Sequence, residues 1–145
     1  MSDAREETQG AGGDAGALRH RLEQAAAGLR YVSEADHPFD FVSFPGATAQ
    51  DLAPDRFAAV VGKPGAPVQE VSLDRFFSGQ IENVDAADAV SMAEVPRFRA
   101  LKDALRTRLP DLRVLRVGSV EMDCYLVGSV KPTGLAGLHT LAAET

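Results

Sequence analysis

The sequence has 145 residues, a length that suits one domain built around a single hydrophobic core. Its 21 acidic and 15 basic residues give a net charge of −6, which argues against a nucleic-acid or anionic-membrane partner, because both require a basic surface. The single cysteine excludes an internal disulfide bond. The polar N-terminus and the absence of a long apolar run favour a cytoplasmic protein without a signal peptide or membrane helix.

The beginning of the chain combines a polar segment with an amphipathic one. Residues 1–16 are rich in Gly, Ala and acidic residues and are predicted to form a flexible tail, so that the folded domain spans residues 17–145. From Leu18 to Leu29 the apolar residues follow the spacing of one helix face, with Asp14 as the candidate N-cap.

The middle of the chain alternates short apolar runs with polar connections. Residues 31–37 are predicted to form a polar loop, and the apolar run at residues 39–44 a strand. A short helix is expected within residues 51–61, capped by Asp55. Residues 68–73 alternate as a strand and lead into a single helical turn.

A long helix and three strands are expected to complete the domain. Residues 79–94 are predicted to form a long acidic loop, after which Pro96 fits the first position of a helix and Pro110 ends it. The three strand candidates occupy residues 114–117, 120–127 and 134–143, with a turn over residues 131–134 before the last. Helices and strands are mixed without a βαβ rhythm, so the predicted class is α+β: a single domain with a twisted, mostly antiparallel sheet.

The candidates for catalysis are few. Glu121 and Asp123 share one face of a predicted strand, and His139 lies on the next strand, so these three residues are the only set that would support acid–base chemistry. A solvated strand face explains the carboxylates more simply. Cys124 belongs to an apolar strand face, which favours burial over nucleophilic reactivity. The histidines are too scattered to suggest a metal site, and no cofactor is expected.

Two acidic segments and the end of the sequence are more informative about a partner. Residues 31–55 and residues 79–94 contain no Lys or Arg but several carboxylates, so they would form one negative surface if they lay side by side. The last strand candidate runs directly into Glu144 and Thr145. A carboxylate and a hydroxyl at one compact tip suit a cationic or metal-containing site of another protein.

Five segments resemble the nuclease A inhibitor family, and the resemblance as a whole runs from about Leu18 to Thr145. The segments are YVSEADHPFD at residues 31–40, VSLDRFFS at 71–78, FRALKDAL at 98–105, RVGSVEMDCYLVG at 116–128 and GLAGLHTLAAET at 134–145. Proteins of this family bind and block sugar-non-specific DNA/RNA endonucleases.

The resemblance implies a fold, a function and a set of contact residues. The implied fold is an α/β/α sandwich, and the implied function is inhibition of a Mg²⁺-dependent nuclease by a non-enzymatic, monomeric protein. Thr145 would approach the catalytic magnesium of the nuclease, and Glu34 in the loop after the first helix would contact the enzyme. The family resemblance thereby marks Glu144 as part of the inserted end, and the acidic segments would add flanking carboxylates to the binding face. These are Asp36, Glu82 and Asp85.

One feature departs from the family. Its members can carry a tryptophan in the loop after the FFS motif, whereas this chain contains no tryptophan and reads QIENVDA at residues 80–86. Loss of such an anchor can weaken an interface by several kcal/mol, about 2–4 at a hot spot. A protein-interaction module of the same fold with a partner other than a nuclease is therefore the alternative.

Overall fold

The computed structural model describes residues 14–131 and 134–144. Over these residues the chain forms four α-helices, one short 3₁₀ helix and seven strands. In chain order they are α1 (Asp14–Ala26), β1 (Arg30–Val32), β2 (Asp36–Pro38), β3 (Asp40–Pro45), the 3₁₀ helix (Ala49–Leu52), α2 (Pro54–Val60), β4 (Val68–Val71), α3 (Leu73–Ile81), α4 (Ala89–Arg108), β5 (Arg113–Gly118), β6 (Glu121–Ser129) and β7 (Gly134–Ala143).

Five of the strands form one antiparallel sheet in the order β3-β7-β6-β5-β4, and β1 and β2 form a separate small hairpin. The central pair, β6 and β7, aligns Leu126 with Leu138 and Tyr125 with His139. Because successive side chains of a strand point to opposite faces, the two leucines face one layer of the protein and Tyr125 faces the other.

The two faces of the sheet are covered unequally. One face packs against α1, α3 and α4, where Leu22, Leu101 and Leu105 are fully buried. The other face is covered by the 3₁₀ helix and α2, through Leu52 and Phe57. Each such side chain contributes about 1.5–3 kcal/mol through burial. The result is a single α+β domain with helices on both faces of an antiparallel sheet, which confirms the predicted class.

Residues 30–38 form the β1–β2 hairpin rather than the predicted polar loop. Tyr31 is the physical reason, because its ring stacks on Phe76 at a centroid distance of 4.3 Å and its hydroxyl donates to the Phe76 carbonyl at 3.2 Å. At the bend, the Ser33 N–H donates to the Ala35 carbonyl at 2.8 Å. A side chain anchored in the core thus converts a polar stretch into two short paired strands.

The predicted start of the long helix at Pro96 was wrong, because α4 begins seven residues earlier. Asp88 caps it: one carboxylate oxygen accepts from the Ser91 N–H at 3.1 Å, and the other accepts from the Ser91 hydroxyl at 2.9 Å. Pro96 lies inside the helix, where it removes one backbone hydrogen bond. Burial of Phe98 and Leu101 beyond it holds the helix together. Since α3 also extends to Ile81, the predicted acidic loop is reduced to residues 82–88.

Smaller corrections concern the termini of helices. The first helix already begins at Asp14, so residues 14–16 are helical and not part of a tail, while residues 1–13 of that predicted tail lie outside the described residues. Asp55 lies in the first turn of α2, but Ala53 occupies the N-cap and Pro54 the first helical position. None of the helices in the described part of the chain has the length and apolar character needed to cross a bilayer.

Candidate functional site

The last strand carries its final residues to one end of the sheet. Two backbone hydrogen bonds hold this end: the Glu144 N–H donates to the Val120 carbonyl at 2.9 Å, and the Glu34 N–H donates to the Ala143 carbonyl at 3.1 Å. The Ala143 N–H donates in turn to the hydroxyl of Ser33 at 3.0 Å. The loop between β1 and β2 is therefore docked on the end of β7, and Ser33, Glu34, Ala143 and Glu144 together form what we call the C-terminal tip.

Both glutamates of the tip are exposed. The Glu34 side chain is exposed beside the strand end. The Glu144 side chain is 55% exposed, and its carboxylate accepts a hydrogen bond from the Arg116 guanidinium at 2.5 Å. Thr145, the residue expected to approach the metal of a nuclease, lies outside the described residues.

Arg116 is the less exposed member of this ion pair, with 13% of its side chain exposed. Burial disfavours its charged form, but the hydrogen bond and the charge of Glu144 outweigh that effect and raise the pKa of Arg116. The guanidinium therefore stays charged and holds the Glu144 carboxylate in one orientation.

A cleft of about 310 Å³ lies beside the tip, which we call the tip cleft. Its wall includes Tyr31, Ser33, Arg75, Arg116 and Glu144. Burial raises the pKa of Tyr31 to about 12, so its hydroxyl remains a neutral donor at physiological pH. The tip thus combines exposed carboxylates with a structured polar cleft next to them.

The remaining predicted contact residues lie in the hairpin and after α3. Asp36 is exposed in β2 and forms a 3.7 Å ion pair with Arg30, which is of little energetic value at the surface. Glu82 directly follows α3 and is exposed. Asp85 is exposed in the loop before α4, and its carboxylate accepts from the Ala87 N–H at 2.9 Å.

Gln80 joins the two acidic segments, because its side-chain amide donates to the Val32 carbonyl at 2.9 Å. Neither Gln80 nor Arg116 was identified from the sequence. The sequence does contain an indication of the role of Arg116. This residue lies two positions after Val114 in β5, so it is on the same helix-covered face of the sheet, where an apolar residue is expected. A polar residue at an inward position indicates a buried interaction.

The acid–base candidates meet only in part, on the face of the sheet covered by α2. The Asp123 carboxylate lies 2.8 Å from Nε2 of His139 and is also paired with Lys63. These two partners lower the pKa of Asp123 although its burial opposes the shift. Glu121 is exposed at the start of β6, and no hydrogen bond joins it to either residue in the described structure. Asp123 is thus engaged by two donors, which suits a structural bridge.

The structure also places the cysteine and bears on metal binding. Cys124 is completely buried, and burial raises the pKa of its thiol to about 11, so the thiolate is scarce at neutral pH. Among residues 14–131 and 134–144, no three side chains of the His, Cys, Asp and Glu types are grouped so that they could hold a metal ion.

Comparison with protein families identifies a match over nearly the whole chain. The family model described as "Nuclease A inhibitor-like protein" matches residues 16–145. Comparison with curated individual proteins returns no match. The match covers the described sheet, the C-terminal tip and all the helices except the first two residues of α1. On this evidence the chain belongs to the nuclease A inhibitor-like family.

Proposed function

We propose that this protein inhibits a Mg²⁺-dependent, sugar-non-specific endonuclease by occupying its active site with the C-terminal tip. The observation that carries the proposal is the docking of the Ser33–Glu34 loop on the end of β7, through the hydrogen bonds of Glu34 and Ala143. That docking brings the Glu34 backbone next to the strand that ends in Glu144. Family membership supports the same class of function.

The chemistry of the tip suits a site built for phosphate. Nuclease active sites bind anionic phosphates through cationic side chains and Mg²⁺, and carboxylates make charge-assisted hydrogen bonds with the same cationic side chains. A hard cation such as Mg²⁺ prefers oxygen ligands. In this proposal the hydroxyl or carboxylate of Thr145 approaches the nuclease's metal, and Glu34 and Glu144 take the place of phosphate oxygens.

The tip is also ordered before it meets a partner. Binding is weakened when a flexible segment must be fixed at the interface, by about 0.5–1.5 kcal/mol for each immobilised side chain. Here the Arg116–Glu144 ion pair and the hydrogen bonds of Ser33 already hold the tip in the free protein. Nanomolar inhibition requires about −12 kcal/mol of binding free energy. An ordered tip favours such affinity, because less conformational entropy is lost when it binds.

The flanking carboxylates would act mainly on the rate of encounter. Asp36, Glu82 and Asp85 are exposed, and rim charges of this kind steer a cationic partner more than they stabilise the complex. The net charge of −6 acts in the same direction.

The test is a titration of the protein into a Mg²⁺-dependent non-specific nuclease from the same source, with nucleic-acid degradation as the readout. We expect stoichiometric loss of activity with the full chain. Removal of Glu144-Thr145 should weaken inhibition by at least about 100-fold, and Glu34→Ala by about tenfold or more, as hot-spot truncations do. Asp55→Ala serves as the control, because Asp55 lies in α2 on the opposite face of the sheet.

Two results would contradict the proposal. If the truncated chain inhibited as well as the full chain, the tip would not be the inhibitory element. If the full chain failed to inhibit at micromolar concentration, the interface would serve a partner other than a nuclease. The absence of tryptophan from residues 80–86 favours this alternative function.

A further inference from the structure

A second, smaller cavity lies next to the tip cleft, between β1, α3 and the beginning of α4. Its volume is about 150 Å³, several times the roughly 30 Å³ that one water molecule occupies in the liquid. Val32 and Gln80 contribute to the walls of both cavities. Since the side chain of Gln80 is common to both, we call the smaller one the Gln80 cavity.

Gln80 holds an unsatisfied acceptor at this place. The residue is only 8% exposed, and its Nε2 donates to the Val32 carbonyl at 2.9 Å. A carbonyl can only accept, so this bond fixes which end of the amide is the NH₂ group. The other end, Oε1, is buried and has no hydrogen-bond partner among the described residues. A buried acceptor without a donor is unfavourable by about 1–3 kcal/mol, which marks a place where a donor is missing.

The charged side chains around the cavity are both carboxylates, and, apart from the buried amide, its remaining polar side chains are those of Asn83, which can donate and accept, and Ser91. Asp85 and Glu94 line it with their carboxylates, and Lys and Arg are absent from the described residues of its wall. The hydroxyl of Ser91, a further wall residue, already donates to Asp88. An acceptor-rich cavity of this kind selects a cationic occupant that carries several N–H donors.

Exposed apolar residues in and beside the cavity wall favour a protein as the source of the occupant. Val32 is 57% exposed although it is a large apolar residue. Val90 and Met92, on either side of Ser91 in α4, are also exposed apolar residues. Exposed apolar side chains close together on a surface are typical of a site of protein–protein contact.

We propose that the Gln80 cavity receives an arginine side chain of the partner protein. A guanidinium has five N–H donors in one plane, so it can satisfy Oε1 of Gln80 and a carboxylate together, and it is more weakly hydrated than the ammonium of lysine. The inference rests on the proposed function, because a nuclease active site supplies cationic side chains near phosphate. It adds a second contact beside the tip, at the segment where this chain carries no tryptophan.

The test uses ethylguanidinium chloride as the probe, with the isotope-labelled protein followed by two-dimensional NMR. We expect saturable shifts of the Gln80 side-chain NH₂ signals and of the backbone signals of Asp85 and Ser91. Ethylammonium chloride at the same ionic strength should bind more weakly, and sodium chloride should produce no saturable shift.

Variants identify the groups that hold the probe. Gln80→Met removes the acceptor at nearly constant length, and Asp85→Asn and Glu94→Gln remove one charge each while the Gln80–Val32 hydrogen bond remains. Each should weaken binding of ethylguanidinium several-fold, with about tenfold for Gln80→Met, the equivalent of one hydrogen bond to a charged group. Asp103→Asn is the matched control, because it removes one exposed charge from α4 outside the cavity wall.

The result that would overturn the proposal is the absence of saturable shifts at Gln80, or shifts that persist in all three variants. Equal binding of ethylammonium would contradict the choice of arginine. Because no nuclease is present in this experiment, its outcome is independent of the proposed function. In a second experiment with the nuclease, Gln80→Met could inhibit normally while removal of Glu144-Thr145 abolishes inhibition. That result would show that the Gln80 cavity does not bind the nuclease, and it would leave the proposed function unaffected.

Discussion

The two faces of the sheet each carry one partly buried charged residue in an ion pair, and the two residues are held in different ways. On the helix-covered face, Arg116 has one carboxylate partner, Glu144, which is itself 55% exposed at the tip. On the opposite face, Asp123 receives two partners, Lys63 and His139, and its side chain is 17% exposed. The first arrangement ends at a surface where a second molecule can reach it, whereas the second is satisfied within the chain. The comparison therefore agrees with the proposed binding role of the first pair, and it suits a supporting role in the sheet for the second.

The largest effect is expected when one buried leucine on each face of the sheet is replaced by alanine, which tests whether the two faces contribute unequally to stability. Leu101 in α4 and Leu115 in β5 are both fully buried, the first in the core on the face covered by α1, α3 and α4 and the second in the core on the face covered by the shorter α2. We expect Leu101→Ala to lower the free energy of unfolding by about 2–5 kcal/mol, and Leu115→Ala to fall at the lower end of that range, because a thin layer collapses more readily into a cavity. Urea denaturation of both variants measures the difference, and a larger loss for Leu115→Ala would reverse the ranking.

Replacing the arginine that holds the tip is the next test. Arg116→Met keeps most of the side-chain volume but releases Glu144. We expect inhibition of the nuclease to weaken about tenfold, or about 1.4 kcal/mol, because the tip must then be ordered on binding, with little change in the free energy of unfolding. Arg113→Met is the control, since it removes an exposed ion pair with Glu70 from the same strand. Unchanged inhibition by Arg116→Met would show that the ion pair does not position the tip.

The smallest expected effect concerns Asp123. Its pKa is lowered in the folded protein by Lys63 and His139, against the effect of burial. The stabilisation is therefore complete above the ordinary aspartate pKa of about 3.9 and is lost as the pH falls through the lower folded value. At neutral pH, Asp123→Asn should lower the free energy of unfolding by about 1 kcal/mol, and this difference should shrink in acid. Equal differences at neutral and acid pH, or the same loss in the exposed variant Asp55→Asn, would contradict this account.

The strands could be predicted where alternation and burial act together. The bounds of β7 as Gly134–Ala143 are confirmed, and Cys124 lies on an apolar face of β6, which it shares with Met122 and Leu126. The two strands within residues 30–38 could not be predicted in the same way, because a strand of three residues is too short to show an alternating pattern. Their pairing depends on contacts of Tyr31 with α3, about 45 residues further along the chain.

The candidate site was predicted unevenly for a similar reason. The resemblance to the family pointed to Glu34 and Glu144, and the structure brings the Glu34 backbone against the end of β7. Gln80 was not predicted, because its role depends on a partner at Val32 that is remote in sequence. The alternation in β5 could have marked Arg116 as unusual, but its partner, Glu144, is also remote in sequence. Side chains whose importance comes from a distant contact leave little trace in a local pattern.

The position of β7 has a consequence for the synthesis of the protein. This strand, the last of the described elements, lies between β3 and β6, so β3 has no partner in the five-stranded sheet until β7 is in place. While residues 134–143 have not yet emerged from the ribosome, the nascent chain can therefore pair β4, β5 and β6 but cannot complete the five-stranded sheet. Completion of the fold and presentation of the tip then occur in one event. A nascent chain released before that event would lack both a finished sheet and the tip, and would be readily cleared by proteolysis.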